Sequence, residues 1–342
     1  MNLAEQLLTT LPLVVIDDLK RLGITLSPDS ELSVLSHGLS NQNYLIHDSD
    51  KKWVLRSNSL ASNGLCDRQS EVTNWRLAAK ESLAPALCYV SSDHAYFLSE
   101  YIEEEASWQW GELLSEQSTQ PHIQGPSVWP NAEEKLLVLL LGLSKLTVPD
   151  NIISVSSQWQ RYLGQLRDIH AGCLTEKSQD LRDQWFAHFH QLLGLETEIS
   201  QWIEELNACD LGSQYSHRDL NPRNLLYKDN QLFCIDFEYA CGSHPLFDLA
   251  AVLSSHGLST KQKEALIHAY LLGHPKLTSN AKSALSAAIN IYWVFAACWS
   301  LLMAAGGSPA LDENSSVTDM NLNPHKDQEY LNYFQSFLSS IG

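Results

Sequence analysis

An α+β fold, with a small β-rich lobe followed by a large helical lobe, is predicted by three features of the sequence. The first hundred residues alternate short apolar strands with turn-forming clusters around one amphipathic helix. From residue 133 onward, apolar positions recur at helical spacing over long stretches. One compact β-like stretch, 225–237, interrupts them. The lobes are therefore drawn as 1–103 and 104–342, with a hinge at 99–103.

Taken in order, residues 3–23 read as one or two amphipathic helical turns ending at Gly23. Residues 32–34, 44–46 and 53–56 read as strands, separated by Gly38-Leu-Ser-Asn41 and Asp48-Ser-Asp50. Helical spacing with charges on one side follows over 66–80, then a hairpin of 89–90 and 95–98 split by Ser91-Ser-Asp-His94. Residues 104–134 mix acidic residues, Pro121, Gly125, Pro126, Pro130 and three tryptophans, and read as a loop-rich insertion. Helices are predicted over 133–146, 157–171, 180–206, 261–272, 280–304 and 327–340. There is no internal repeat and no low-complexity tract.

Of the 342 residues, Lys plus Arg total 22 against 40 Asp plus Glu, a formal charge of −18. Such a chain repels phosphate backbones and anionic headgroups, which argues against a nucleic-acid partner, and it draws cations toward a cleft. A hydrophobic share of 44% against 18% charged is that of a globular chain with a sizeable core. Seven scattered cysteines with no C-x-x-C pair read as reduced, buried thiols in a cytoplasmic protein. The N-terminus has no basic n-region, and Glu5, Asp17 and Asp18 interrupt its apolar stretches, so no secretory signal is expected. The apolar stretch 291–307 is short for a spanning helix and lacks flanking basic clusters, so a buried helix and no membrane span are expected.

The strongest local signal is Ser216-His-Arg-Asp-Leu-Asn-Pro-Arg-Asn-Leu-Leu226, followed by Phe233-Cys-Ile-Asp-Phe-Glu238. Asp219 and Asn224 lie five apart on a tight loop, because Pro222 blocks a regular helix through it. Asp236 follows an apolar strand and stands at its end. Oxygen donors of this kind suit a hard divalent cation holding phosphates. A remaining carboxylate orients an attacking hydroxyl and accepts its proton. The pattern matches the H-R-D-L-x-x-x-N and D-F-G elements of kinases, with Glu238 in place of the glycine. A lone H-x-D would be an ordinary loop; Asn at the right offset and Asp on the next strand make this one different.

The N-terminal half supplies what such an enzyme needs. Gly38-Leu-Ser-Asn-Gln-Asn-Tyr-Leu-Ile46 is a polar turn between strands, able to close over phosphates through backbone N–H groups, with Ser40, Asn41 and Asn43 in it. Arg56 ends a strand where a kinase presents a cation to the α/β-phosphates, and Glu71 on the next helix is placed to pair with it. Ser99-Glu-Tyr-Ile-Glu103 follows a strand, and its backbone, at Glu100 and Ile102, is placed to pair with an adenine edge.

The ordered set resembles the choline/ethanolamine kinase and aminoglycoside phosphotransferase superfamily, which includes bacterial thiamine kinases and LicA-type choline kinases. The resemblance rests on the 38–46 turn, Arg56, Glu71, His217 to Asn224, and Ile235-Asp-Phe-Glu-Tyr-Ala240 with Asp248-Leu-Ala250. It implies a bilobal protein-kinase-like fold, ATP as co-substrate and Mg2+ as cofactor. Asp219 is then implied as catalytic base, Asn224 and Asp236 as metal ligands, and Arg56 with Glu71 as the phosphate-binding ion pair, Arg replacing the usual Lys. A protein kinase is disfavoured, because eleven residues between Asp236 and Asp248 leave no room for an activation segment. No G-x-x-x-x-G-K-[ST] occurs, which excludes a P-loop kinase.

For the acceptor, the 291–307 stretch places Tyr292, Phe295 and Trp299 on one helical face, with Trp293 beside it. Trp299 resembles the tryptophan that choline kinases use to hold a quaternary ammonium. With Glu238 and the net charge, this favours a cationic alcohol of the choline, ethanolamine or thiamine type. Where animal choline kinases carry an acidic residue after the Asp248-type motif, this chain reads Ser254-Ser255-His256. Two alternatives stand beside this reading: an aminoglycoside-type antibiotic phosphotransferase, using the Glu103-Glu-Glu105 run, and a catalytically silent kinase-like binding module. A monomer or homodimer is expected.

Overall fold

The computed structural model describes residues 3–26, 30–35, 41–48, 51–58, 67–106, 108, 128–306 and 324–342. Two compact units divide the chain: Met1–Trp108 with Arg223–Glu238, and Gln109–Pro222 with Tyr239–Gly342.

The first unit opens with α1 (Leu3–Thr10) and α2 (Leu13–Arg21). Pro12 occupies the N-cap of α2, where its missing N–H costs nothing. Gly23 takes a left-handed conformation, φ +81°, and turns the chain out of α2. Five strands follow: β1 (Glu31–Leu35), β2 (Gln42–Asp48), β3 (Lys51–Ser57), and, after α3 (Arg68–Lys80), β4 (Leu87–Val90) and β5 (Tyr96–Glu100). They form one antiparallel sheet in the order β1-β2-β3-β5-β4. Its strands are the predicted five: the first four are extended by one or more residues, and the fifth, expected over 95–98, is shifted to Tyr96–Glu100. Leu7, Leu11, Val15, Ile16 and Leu19 of the helical hairpin pack on Ile46, Leu55 and Leu98 of the sheet. Asp67 caps α3, accepting from the N–H groups of Gln69 (3.0 Å) and Ser70 (3.2 Å).

In the second unit come α4 (Ala132–Ser144), α5 (Val155–Ala171), α6 (Gln179–Leu193) and α7 (Glu196–Asn207). The single helix expected over 180–206 is two, broken at Gly194. Strand β6 (Gln214–Ser216) leads to the loop carrying Asp219. The chain then returns to the first unit as a hairpin, β7 (Leu225–Lys228) and β8 (Gln231–Cys234), and leaves it through β9 (Cys241–Ser243), which pairs with β6. Gly242 is needed here: a Cβ would stand 2.9 Å from Ile152 Cγ1 and 3.0 Å from Val148 Cγ1.

Helices α8 (Leu246–Ser255), α9 (Thr260–Leu271), α10 (Leu285–Ala304) and α11 (Pro324–Leu338) complete the second unit. Helix α10 is long and apolar enough to cross a membrane, yet 67% of its apolar window is buried, against α5, α7, α8 and α11. It is a core helix. The cysteines differ from expectation: Cys209, Cys234, Cys241 and Cys298 are buried, whereas Cys88 and Cys173 are exposed. Cys66 lies outside the described residues.

Candidate active site

In the first unit, Arg56 comes from β3, opposite Asn43 on β2 and Phe97 on β5. Arg56 is 6% exposed, and each of its guanidinium nitrogens makes a contact. Nε donates to Asn58 Oδ1 (2.7 Å), Nη2 to Glu71 Oε1, and Nη1 to Asp236 Oδ1 (3.3 Å). It also lies over the rings of Phe97 (4.9 Å) and Trp75 (5.9 Å). Burial works against this charge, but Glu71 and Asp236 outweigh it and hold the guanidinium above its ordinary value. Glu71 sits one turn into α3, where its other oxygen accepts from Arg68 Nη1 at 2.6 Å. Glu238 follows, 3.6 Å from the same Arg68 nitrogen. The carboxylate assigned to the acceptor from sequence is therefore engaged with an arginine that the sequence reading did not single out. The signal available was the i, i+3 spacing of Arg68 and Glu71.

The β7–β8 hairpin positions Asn224 and Asp236. Leu225 pairs with Cys234, and just beyond it the Asn224 carbonyl accepts from the Ile235 N–H at 3.0 Å. Asp236 is left-handed, φ +66°, a conformation that surrounding contacts must enforce on a residue with a Cβ. Burial, then the Glu238 charge, push its carboxyl up to about 7, against the pull of Arg56. Three carboxylates (Glu71, Asp236, Glu238) thus face two guanidiniums (Arg56, Arg68). An amide oxygen and a carboxylate oxygen are hard donors of the kind magnesium takes.

The compact units divide between Pro222 and Arg223, so Asp219 belongs to the second. Its loop is fixed by Asp248 of α8, which accepts from Ser216 Oγ (2.7 Å), His217 N–H (2.9 Å) and Arg218 N–H (2.8 Å). Burial raises the Asp248 carboxyl above its ordinary value, though these bonds oppose the shift. Arg218 is held left-handed, φ +69°, with its guanidinium 4.5 Å from the centre of the Phe247 ring. Asp219 Oδ1 accepts from Asn221 Nδ2 at 2.9 Å. Asp248 was legible as part of a motif; its three-fold grip on the loop was not.

Below this loop Phe247 stacks on Phe295 (5.8 Å) and meets Tyr292 edge-on (6.4 Å), while Tyr162 closes on Phe295 (5.5 Å). Burial, then the Asp219 charge, raise the Tyr292 hydroxyl above its ordinary value. Two turns further along α10, Trp299 meets Tyr330 of α11 edge-on at 5.6 Å. The predicted aromatic face thus has two separate partners.

Asn41 and Asn43 lie at the start of β2, half-buried; Ser40 falls outside the described residues. Glu100 is exposed, with its N–H bonded to Ala86 O at 2.9 Å, and Ile102 is buried. In the acidic run, Glu103 pairs with Lys52 (2.7 Å), and Glu105 Oε1 accepts from the Asp229 N–H (3.0 Å) in the β7–β8 turn.

Residues 31–279 match the model of a family described as the phosphotransferase enzyme family, APH. The chain belongs to this phosphotransferase family. Among curated relatives of this APH chain, protein LicA of Haemophilus influenzae is 25% identical over 233 residues, 68% of this chain and 60% of LicA. The chain thus spans less than two thirds of that relative's length. Among solved structures, choline kinase LicA from Streptococcus pneumoniae superposes with TM-score 0.59 at 15% identity, covering 96% of this chain and 97% of that one. A spectinomycin phosphotransferase in complex with ADP and spectinomycin gives 0.55 at 12% identity, covering 96% and 97%. These likenesses establish a kinase-like α+β fold for the APH chain.

Proposed function

We propose that this phosphotransferase moves the γ-phosphoryl group of ATP onto the hydroxyl of a small cationic alcohol of the choline, ethanolamine or thiamine type. The observation that carries the reading is the buried Arg56, held by Glu71 and facing Asp236. A guanidinium fixed in this way meets α/β-phosphates without further reorganisation. Ser40, Asn41 and Asn43 are proposed at the phosphates. The backbone of Glu100 and Ile102, in a hinge at 99–103 between lobes of 1–103 and 104–342, is proposed at the adenine.

Asp219 orients the acceptor hydroxyl and takes its proton as the new O–P bond forms; the bond to the β-phosphate oxygen breaks and ADP leaves. Asp248 keeps Asp219 in place through the Ser216–Arg218 backbone. Magnesium, when bound, neutralises phosphate charge, and Asn224 and Asp236 are the residues that would hold it. Tyr292 and Trp299 are proposed as aromatic contacts for the acceptor cation, Tyr292 nearer Asp219. The protein is read as a cytoplasmic monomer or homodimer.

The use of Glu103 and Glu105 as partners of Lys52 and the β7–β8 turn supports a small acceptor over an aminoglycoside, because that acidic run is already engaged. ADP release with choline, ethanolamine, thiamine, homoserine and aminoglycosides tests the reading. Turnover confined to the cationic alcohols is expected. Faster turnover of an aminoglycoside, or none with any alcohol, overturns it.

A further inference from the structure

Arg68 is the first residue of α3, where a cation opposes the helix dipole and an exposed side chain is the ordinary outcome. Here its side chain is 7% exposed, and one nitrogen, Nη1, makes both ion pairs: 2.6 Å to Glu71 Oε2 and 3.6 Å to Glu238 Oε2. Both carboxylates are buried as well. A charge is kept in such a place only when its partners need it. Among the described ion pairs, Arg56 and Arg68 are the two cations that Glu71, Asp236 and Glu238 face.

The pair also closes a seam. The segment leaving β8 is tied to α3 and the turn after it at three successive points. Cys234 N–H donates to Leu83 O (2.7 Å), Phe237 stacks on Trp75 (5.8 Å, 25°), and Glu238 meets Arg68. Asp236, left-handed and in contact with Arg56, lies between these ties. A left-handed aspartate persists only where its neighbours over-determine it. The Phe237 and Glu238 contacts do this from one side, and the Cys234 bond from the other.

We propose that Arg68 is a positioning residue for phosphoryl transfer: by bridging Glu71 to Glu238 it fixes the strand-end segment that carries Asp236. The proposal rests on the phosphotransferase reading, and takes Glu238 as the group through which Arg68 acts. Since a single nitrogen makes both ion pairs, one ammonium can supply them, and lysine is the conservative variant here.

A double-mutant cycle tests it, read as kcat, as KM for ATP and alcohol, and as melting temperature. Arg68→Gln should lower kcat at least about tenfold and leave KM for the alcohol within about threefold, whereas in a Glu238→Gln background it should cost less than about threefold. Arg68→Lys should keep kcat within about threefold of the natural chain, which a loss through misfolding would not allow. Equal losses in both backgrounds, or a lower melting temperature with kcat unmoved, overturn the proposal. If the natural chain turns over no alcohol, the acceptor reading fails and the same cycle is read by calorimetry of Mg·ADP binding. There, a loss of about tenfold that vanishes beside Glu238→Gln sustains Arg68, and equal losses overturn it.

Discussion

The Asp248 carboxylate accepts the Ser216 hydroxyl at 2.7 Å, and the same two oxygens take the N–H groups of His217 and Arg218. One side chain on α8 thereby holds a loop whose Arg218 is left-handed. An amide at this position would turn its NH2 toward backbone donors. Asp248→Asn should therefore destabilise the chain by about 3 kcal/mol, the scale for leaving buried donors unpaired. It should also lower kcat more than KM, because Asp219 loses its support. Urea unfolding beside steady-state kinetics checks both; an unshifted urea midpoint would remove Asp248 from this role.

Arg56 is the next test. Its three side-chain partners are all within the first unit, so removing it vacates the cation proposed for the α/β-phosphates and leaves Glu71 with Arg68. Arg56→Ala should reduce kcat/KM for ATP by at least about a hundredfold, the order expected when a fixed phosphate contact is lost. Titrating ATP at saturating alcohol measures it. An unchanged kcat/KM would rule out the phosphate assignment.

Asp236 separates chemistry from stability. Its φ of +66° is strained for most side chains and far less so for asparagine, and its ionised form is disfavoured by burial and by Glu238. Asp236→Asn should thus unfold at the same temperature or higher, while magnesium-dependent ADP release falls by about a thousandfold or more. Active, normally folded Asp236→Asn would sink the metal assignment.

The contrast between α8 and the first sheet shows what a sequence can carry. Strands β1 to β5 are half-buried or flanked by turns, so their alternation and punctuation are visible in residues 31–100. Every residue of α8 from Leu246 to Leu253 is buried. A helix covered on all sides has no polar face, so its pattern has no period to read. Strands β6 and β9, three residues each, are too short for one. The candidate site divides the same way. Arg56 and Glu71 lie on consecutive elements, a spacing that a sequence displays. The partnership of Arg68 with Glu238 joins residues 170 apart and exists only once the β7–β8 hairpin is folded beside α3. The split of the α10 aromatic face between Phe247 and Tyr330 likewise depends on α8 and α11.

His256 gives the chain a pH dependence. It ends α8, is buried, and burial pushes its imidazole down to about 3. In the unfolded chain it titrates near 6.5. Between these values the unfolded state binds the extra proton, so stability rises with pH through the window. The contribution is complete above about 6.5 and is lost progressively toward about 3, with roughly 2 kcal/mol gone at pH 5. His188, His244 and His274 are lowered by burial too and add to the same slope. His256→Gln should flatten the fall in urea-unfolding free energy between pH 7 and pH 5 by about that amount; an equally steep fall would show that the imidazole is not held neutral.

The acceptor pocket is tested by two aromatic residues on one helix. Tyr292 stands where the Asp219 charge is felt, edge-on to Phe247. Trp299 is seven residues on, which places it about 10 Å further along the axis, against Tyr330. An aromatic face attracts a desolvated ammonium or thiazolium by about 2 kcal/mol, and leucine keeps apolar volume without that attraction. Tyr292→Leu should therefore raise KM for the cationic alcohol by roughly tenfold or more, since about 1.4 kcal/mol is tenfold in binding. Trp299→Leu should raise it less and lower the melting temperature, because its ring also packs on α11. ATP should bind unchanged in both. A neutral alcohol of similar size serves as the control: it gains burial alone, so its KM should barely respond to Tyr292→Leu. Equal responses of the cationic and neutral alcohols would show that Tyr292 contributes apolar volume and no charge recognition.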